Sequence, residues 1–507
     1  MTLAAEQQEQ VATELAPLAE RLSDRLNPIL VKEVRQSLRG RYFKVSFWVT
    51  LTLATMIGLG VLLVSFSSTR EGASAVYGPQ FFVAIFACLA LATQVLVPFS
   101  AFLSMGSEWD ENTFDLLVLS NLKPRQIVIG KVQSAAVQAL LFYASFGPFL
   151  VFAFLLRGLD LLAIFLCLGI SFVGSLLLSC LAVALSSFGQ GRFARLMLMV
   201  LLAIVLVQGT FVTIAWAGQT MMIPSLLRDP DMLQGLAAAA SIAAAVAAFF
   251  FAAACARLAH PEENRSTGLR VMTLVGIAVG LAWATIIDGW SVDEDVVLGA
   301  VMVGHAVLAL ATLFFITEPE RLGRRVAAKL PKSRLVRLLA TPLLPGGARG
   351  LVFFVCGSLM MSAWALGYSF IAEGRLVFTT GELDALVALP LYGVIFLGIP
   401  SALFTKRLDS LAVRGISRIV IVTGFIAAIM LPALIGFLFG LPNWADFEHP
   451  LNVFTMIHQM LRKDGHYEEA RYFLVAGTLI CVALNWPRLV RAAREQLQAP
   501  TAASSDA

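Results

Sequence analysis

An all-helical polytopic membrane protein of about twelve transmembrane helices, in two halves of six, is the fold class this sequence predicts. Three observations carry it. Of 507 residues 58% are hydrophobic and only 14% charged, with a mean hydropathy of +0.82, whereas a soluble domain is about half apolar and a quarter charged. Apolar runs of about 20 residues, the length a helix needs to cross about 30 Å of hydrocarbon, recur along the chain. Lys and Arg residues concentrate in alternate connections between those runs, as the positive-inside rule expects.

The runs place spans near residues 45–66, 80–105, 132–156, 160–186, 194–217, 236–258, 271–288, 296–317, 350–372, 384–404, 418–440 and 471–487. They are far too long for barrel strands, and unpaired backbone groups are prohibitive in lipid, so helices are the spanning form. Of the 37 Lys and Arg residues, all but Arg70, Arg157, Arg228, Arg375, Arg462, Lys463 and Arg471 fall on one side of this pattern, and acidic residues show no such split. Both termini are therefore expected in the cytoplasm. The first 44 residues hold no short apolar core ending in small residues, so no cleaved signal is expected.

The organisation reads as a cytoplasmic segment 1–44, a first six-span half 45–258 with a loop at 106–131, a short polar hinge 260–267, a second six-span half 271–487 with a basic loop 318–349, and a cytoplasmic tail 488–507. Such internal repeats are common in transporters. The six cysteines all lie in apolar runs without C-x-x-C pairing, which reads as small buried hydrophobes.

Two segments stand apart from the spans. Residues 26–44, L-N-P-I-L-V-K-E-V-R-Q-S-L-R-G-R-Y-F-K, begin with Asn27 as a helix cap and Pro28 at the first helical position. At 3.6 residues per turn Leu30, Val31, Val34 and Leu38 share one face, while Lys32, Arg35, Gln36 and Arg39 share the other, with Glu33 between; this is the pattern of an interfacial helix. Residues 107–131, S-E-W-D-E-N-T-F-D-L-L-V-L-S-N-L-K-P-R-Q-I-V-I-G-K, are acidic at first, then amphipathic, and Pro124 starts a new helix.

The second segment resembles the loop between the second and third spans of ABC-2 type transporter permeases, E-x-x-x-G-T-L-E-L-L-L-x-T-P-L-S-P-x-E-I-V-x-G-K. Asn112 stands where that family often has Gly, and Asn121 where it often has Pro. Weaker echoes lie at 338–350, where Pro345 stands over Pro124, and at 448–457, which resembles the N-P-F-x-x-L pattern between the family's fifth and sixth spans. The resemblance implies a permease subunit of an ABC exporter in the inner membrane. In that family the helix before span 1 lies along the inner leaflet and touches the ATPase, and the loop forms the coupling helix. Carried onto this chain, Glu108, Asp110 and Glu111 are candidate acidic contacts or helix-start charges, Phe114, Leu116 and Leu117 the apolar side that meets the partner, and Pro124 the break before span 3.

No G-x-x-x-x-G-K-[ST] phosphate cradle is present; the single Gly-Lys pair, Gly130-Lys131, is followed by Val132. The segments between spans are too short for a nucleotide-binding domain. The chain is thus expected to be no enzyme and to hold no cofactor, with ATP and Mg in a separate ABC ATPase subunit; membrane lipids and a second copy are the other expected partners, and nucleic acid is not. His305 is the clear ionisable residue deep in a span, and reads as a histidine bonded to a neighbouring helix ahead of a proton relay. Gln94, Gln138, Tyr143, Gln208, Thr210, Thr213 and Tyr368 either line a cavity or join helices. So little charge fits an amphipathic or lipid-like substrate.

Three alternatives stay open. The run Glu320-Arg321-Leu322-Gly323-Arg324-Arg325 resembles the loop motif of major facilitator transporters, although the stronger copy expected after span 2 is missing. The patch Asp288, Asp293, Glu294 and Asp295 would suit a membrane enzyme, but reads better as a solvated acidic loop. A non-transporting scaffold would use 321–337 on anionic lipid.

Overall fold

The computed structural model describes residues 28–69, 78–110, 123–156, 158–188, 192–223, 229–260, 263–289, 292–404, 411–440, 447–462 and 468–498. All regular structure among them is helical. Twelve helices are long and apolar enough to cross a membrane: Arg41–Val61, Gly78–Glu108, Pro124–Leu155, Leu161–Phe188, Arg195–Met222, Pro230–Leu258, Thr267–Asp288, Glu294–Phe315, Gly347–Glu373, Thr380–Leu403, Val413–Phe439 and Glu468–Gln498. These are spans 1 to 12 below. Each overlaps the run expected at its place, and the chain is a multi-pass, all-helical membrane protein.

The helix ends follow local chemistry. Asp229 and Asp293 accept hydrogen bonds from the backbone N–H groups of Asp231 and Asp295 at 3.1 and 3.0 Å, capping spans 6 and 8. Span 3 opens at Pro124, where a missing N–H costs nothing, and the Gln126 side chain accepts from the Lys123 N–H at 3.0 Å. Spans 7 and 9 close on left-handed glycines, Gly289 (φ 64°) and Gly374 (φ 70°). Pro148, Pro390, Pro400 and Pro432 lie within spans, as does Pro487. Span 2 contains a π-turn at Ala92–Leu96, just before Pro98.

The chain divides into two compact units, 1–259 and 260–507, each with six spans. Their internal pairing is the same: the first span packs on the second, the second on the third and fourth, the third on the fourth and sixth, and the fourth on the fifth and sixth. In the first unit span 2 also packs on span 5. Span 4 meets its neighbours through small residues, with Ser171, Ser175 and Ser179 buried at four-residue spacing. Gln94 of the π-turn donates to Ser171 Oγ at 3.1 Å, and Ser186 donates to the Phe102 carbonyl at 2.8 Å. Lipid offers little drive for association of apolar helices, so close approach and such hydrogen bonds hold them.

The second unit relies on glycines. A Cβ at Gly350 would lie 2.8 Å from the carbonyl carbon of Phe315 and 2.9 Å from the Ile316 nitrogen, so spans 8 and 9 approach at backbone distance there. Gly393 faces the Phe354 ring, and Gly398 faces the Cys481 sulfur. All six cysteines are free, and Cys356, on span 9, is exposed rather than buried.

Gly350→Val is expected to lower the unfolding midpoint of the detergent-solubilised protein, because backbone atoms cannot yield; overpacking of this kind costs about 1–3 kcal/mol or more. Gly280→Ala, with open space around it, is the control and should leave the midpoint unchanged in a thermal fluorescence assay.

Candidate functional site

At one end of the first unit three chain segments converge on a single buried ammonium. Lys131 sits two turns into the helix opened by Pro124 and is 2% exposed. Its Nζ lies 2.9 Å from Glu33 Oε1, 3.2 Å from Glu108 Oε2 and 2.9 Å from Ser104 Oγ. Ser104 donates to Glu33 Oε2 at 2.7 Å, and lies one turn before Glu108 on the same helix face. Lys32, half exposed, reaches Glu108 Oε1 at 3.2 Å.

The arrangement joins the N-terminal helix Pro28–Arg39, the end of span 2 and the start of span 3. The N-terminal helix packs on span 3, where Glu33 meets Lys131; past Gly40, Phe43 of span 1 meets Phe142 of span 3 with ring centres 5.7 Å apart. Its outer face is the expected one, with Lys32, Arg35, Gln36 and Arg39 exposed. Its innermost residues are Ile29 and Glu33, while Leu30, Val31, Val34 and Leu38 are half-buried. A carboxylate lies deeper than the leucines because an ammonium waits for it.

Two carboxylates surround one buried ammonium, so the cluster is balanced only by counting the exposed Lys32. Burial by itself would push the Glu33 carboxyl up; the Lys131 ammonium, the Ser104 hydroxyl and Lys32 outweigh it and hold the group below its ordinary value of 4.5.

Of the residues read as a coupling site, Glu108 turns inward to this cluster, Pro124 begins the span 3 helix, and Asp110 ends the helical run of span 2. Glu111, Phe114, Leu116 and Leu117 lie outside the described residues, as does Asn27. Pro28 opens the N-terminal helix. Lys131 and Ser104 were missed by sequence reasoning; the one signal for Lys131 was a charge at the threshold of an apolar run.

The second unit carries a comparable network built on arginine. Arg270, at the start of span 7, pairs with Glu318 at 2.9 Å; Arg349, at the start of span 9, with Glu495 at 3.2 Å; and Arg488, in span 12, with Glu320 at 2.6 Å. Arg270 and Arg349 are fully buried. Arg488 also donates to Ser401 Oγ and Asn485 Oδ1. In both units a cation opening the third span is buried in an ionic network, and acids at or just beyond the end of the second span belong to that network. Glu320, of the run resembling the facilitator motif, is thus engaged inside its own unit.

The other singled-out residues have local roles. His305 is buried, with Nδ1 2.9 Å from the Val301 carbonyl of its own helix rather than a neighbour's. Asp288 accepts from the Tyr368 hydroxyl at 2.6 Å and the Asp293 N–H at 2.8 Å. With Asp293 capping span 8, that acidic patch organises a turn. No group of three or more metal-ligating side chains occurs among the described residues.

No known protein family, characterised protein or solved structure matches this chain. The residues themselves carry the reading of its function.

Lys131→Met leaves two buried carboxylates facing each other and should cost about 3–5 kcal/mol of stability; Lys32→Ala removes a half-exposed partner and should cost about 0–1 kcal/mol. Chemical denaturation in mixed micelles compares them. Because the folded Glu33 carboxyl titrates below its unfolded value, its contribution is full above about pH 4.5 and is lost as pH falls through the lowered value. The unfolding midpoint of the wild type should fall in that acid window, and that of Glu33→Gln should fall less.

Proposed function

We propose that this chain is the membrane permease subunit of an ABC-2-like exporter, driven by a separate ATPase subunit and moving an amphipathic or lipid-like substrate across the inner membrane. The observation that carries this reading is the ion cluster. It ties the N-terminal helix to both flanks of the segment 111–122, the one resembling a coupling helix, through Glu108 before it and Lys131 after it. A partner pushing on that segment from the cytoplasm acts on spans 2 and 3 together, since their ends share one ammonium. Glu108 then transmits force from inside the fold, and contact with the ATPase falls to Phe114, Leu116 and Leu117.

Two further points support it. The same span pairing recurs in both six-span units, which suits a pathway assembled from repeated halves. Toward the middle of the spans the described residues are almost free of ionisable groups, His305 apart, which suits a substrate that does not need charge compensation.

Affinity purification of the tagged chain in mild detergent is expected to recover a Walker-motif ATPase. Phe114→Glu should abolish recovery without shifting the unfolding midpoint. Glu108→Gln should leave the ATPase bound but lower substrate-stimulated ATP hydrolysis by about 5-fold or more, the scale of ordinary coupling energies. A monodisperse chain free of ATPase in several detergents overturns the reading.

A further inference from the structure

In the second unit the connection between spans 8 and 9 carries two short helices that bury opposite kinds of residue. Around Arg324–Ala328, Val326 and Leu330 turn inward onto Leu344, as apolar residues of a segment facing water do. Helix Arg334–Leu339 is inverted. Arg337 is 2% exposed, whereas Leu335 is 68% and Leu339 71% exposed, with Val336 and Leu338 exposed beside them. Leu335, Leu338 and Leu339 stand at i, i+3 and i+4, so they share one stripe, opposite Arg337.

The inversion is held by hydrogen bonds. Arg337 donates through Nε to the Pro331 carbonyl at 2.6 Å and through Nη1 to the Gln496 carbonyl at 3.2 Å, and the Gln496 amide donates to the Arg337 carbonyl. The helix is thus pinned by its charged face to the end of span 12, with its leucines outward. Three residues past Leu339, the Pro342 carbonyl accepts from Arg270 in the first turn of span 7 at 2.9 Å, and the Leu343 carbonyl accepts from Thr267 at 2.6 Å. The leucine end of the helix therefore stands level with the start of a span, where the headgroup layer of a bilayer lies.

Charge identifies what covers this face. Arg321, Arg324, Arg325, Lys329, Lys332 and Arg334 are all exposed, and the sequence holds no acid between Glu320 and Glu373. Of the acids that touch this connection, Glu318, Glu320 and Glu495 are engaged by the buried Arg270, Arg488 and Arg349, and Glu263 reaches one exposed cation, Arg325, at 3.7 Å. We propose that residues 321–339 seat on an anionic lipid leaflet, with Leu335, Leu338 and Leu339 entering its apolar edge and Lys329, Lys332 and Arg334 against lipid phosphates. The positive-inside rule accounts for the cations, but not for leucines turned out while an arginine is turned in. A zwitterionic surface would take the leucines and leave the cations without net counter-charge. A protein groove would have to enter the headgroup layer to reach them. The seat is separate from the proposed transport activity and does not depend on it.

Amide hydrogen exchange of the full chain tests the assignment, in nanodiscs of dioleoyl phosphatidylcholine alone and in discs that also contain dioleoyl phosphatidylglycerol. The Arg337 and Ala340 amides, each bonded at 3.0 Å to the Ser333 and Val336 carbonyls, report opening of this helix. They should exchange at least about fivefold more slowly in the mixed discs, the factor that one cation held at an anionic surface supplies. Leu335→Glu with Leu339→Glu should remove the slowing, and so should Lys329→Gln with Lys332→Gln and Arg334→Gln; if one set fails to fold, the other decides. Comparing each with the wild type in the same mixed discs cancels the lower pH at an anionic surface. Equal exchange in the two kinds of disc overturns the proposal and leaves the leucines to a partner protein. Slowing that survives in either folded variant also overturns it.

Discussion

The first unit depends on one ammonium group removed from water. Lys131 pays a large desolvation penalty that only closely placed, hydrogen-bonded carboxylates offset, and the two that do so come from different segments, Glu33 from before span 1 and Glu108 from the end of span 2. Three elements distant in sequence are therefore fixed at one point by an interaction that tolerates little displacement. Apolar packing alone would not do this in lipid, where helices slide past one another at small cost because hydrocarbon chains are as apolar as leucine.

The second unit meets the same requirement with guanidinium groups, which spread their charge over a planar fork and so engage carbonyls and carboxylates at once. Arg349 contacts the Pro345, Glu320 and Ala492 carbonyls as well as Glu495. Arg270 contacts the Pro342 and Gly346 carbonyls as well as Glu318. These bonds hold the irregular turn Thr341–Gly346 against the helix ends, a task one lysine could not perform. The first unit's lysine holds helices; the second unit's arginines also hold backbone that has no helical partner.

Much of the fold was legible because its signals are one-dimensional. Twelve runs of apolar residues and an alternation of basic connections need no knowledge of contacts, and the helix opening at Pro28 is local chemistry. What escaped was pairwise. Nothing in the spacing of Glu33, Ser104, Glu108 and Lys131 marks them as one cluster, since they are separated by up to 98 residues. Glu108 was visible as a candidate site residue, but its direction was not, because an acid before an amphipathic segment reads the same whether it faces a partner or its own lysine. The acidic residues 288–295 read as a solvated loop; that Asp288 takes the Tyr368 hydroxyl and Asp293 caps span 8 is again pairwise, and composition does not carry it.

The π-turn of span 2 lies between its apolar first half and the half that carries Ser104 and Glu108. A π-turn accommodates one residue more than an α-helix would, and each residue turns the helix by about 100°. The extra residue is absorbed within 92–96, so the face that Ser104 and Glu108 present to Lys131 is set by the α-helical stretch that follows the turn. Among descendants of this chain, a single-codon deletion between Leu91 and Val97 would return the turn to α-helical geometry and leave both polar residues facing Lys131, whereas the same deletion between Val97 and Ser104 would swing them away by about 100°. Changes of length in this span are then tolerated within the π-turn, and from there to Glu108 evolution is confined to replacement.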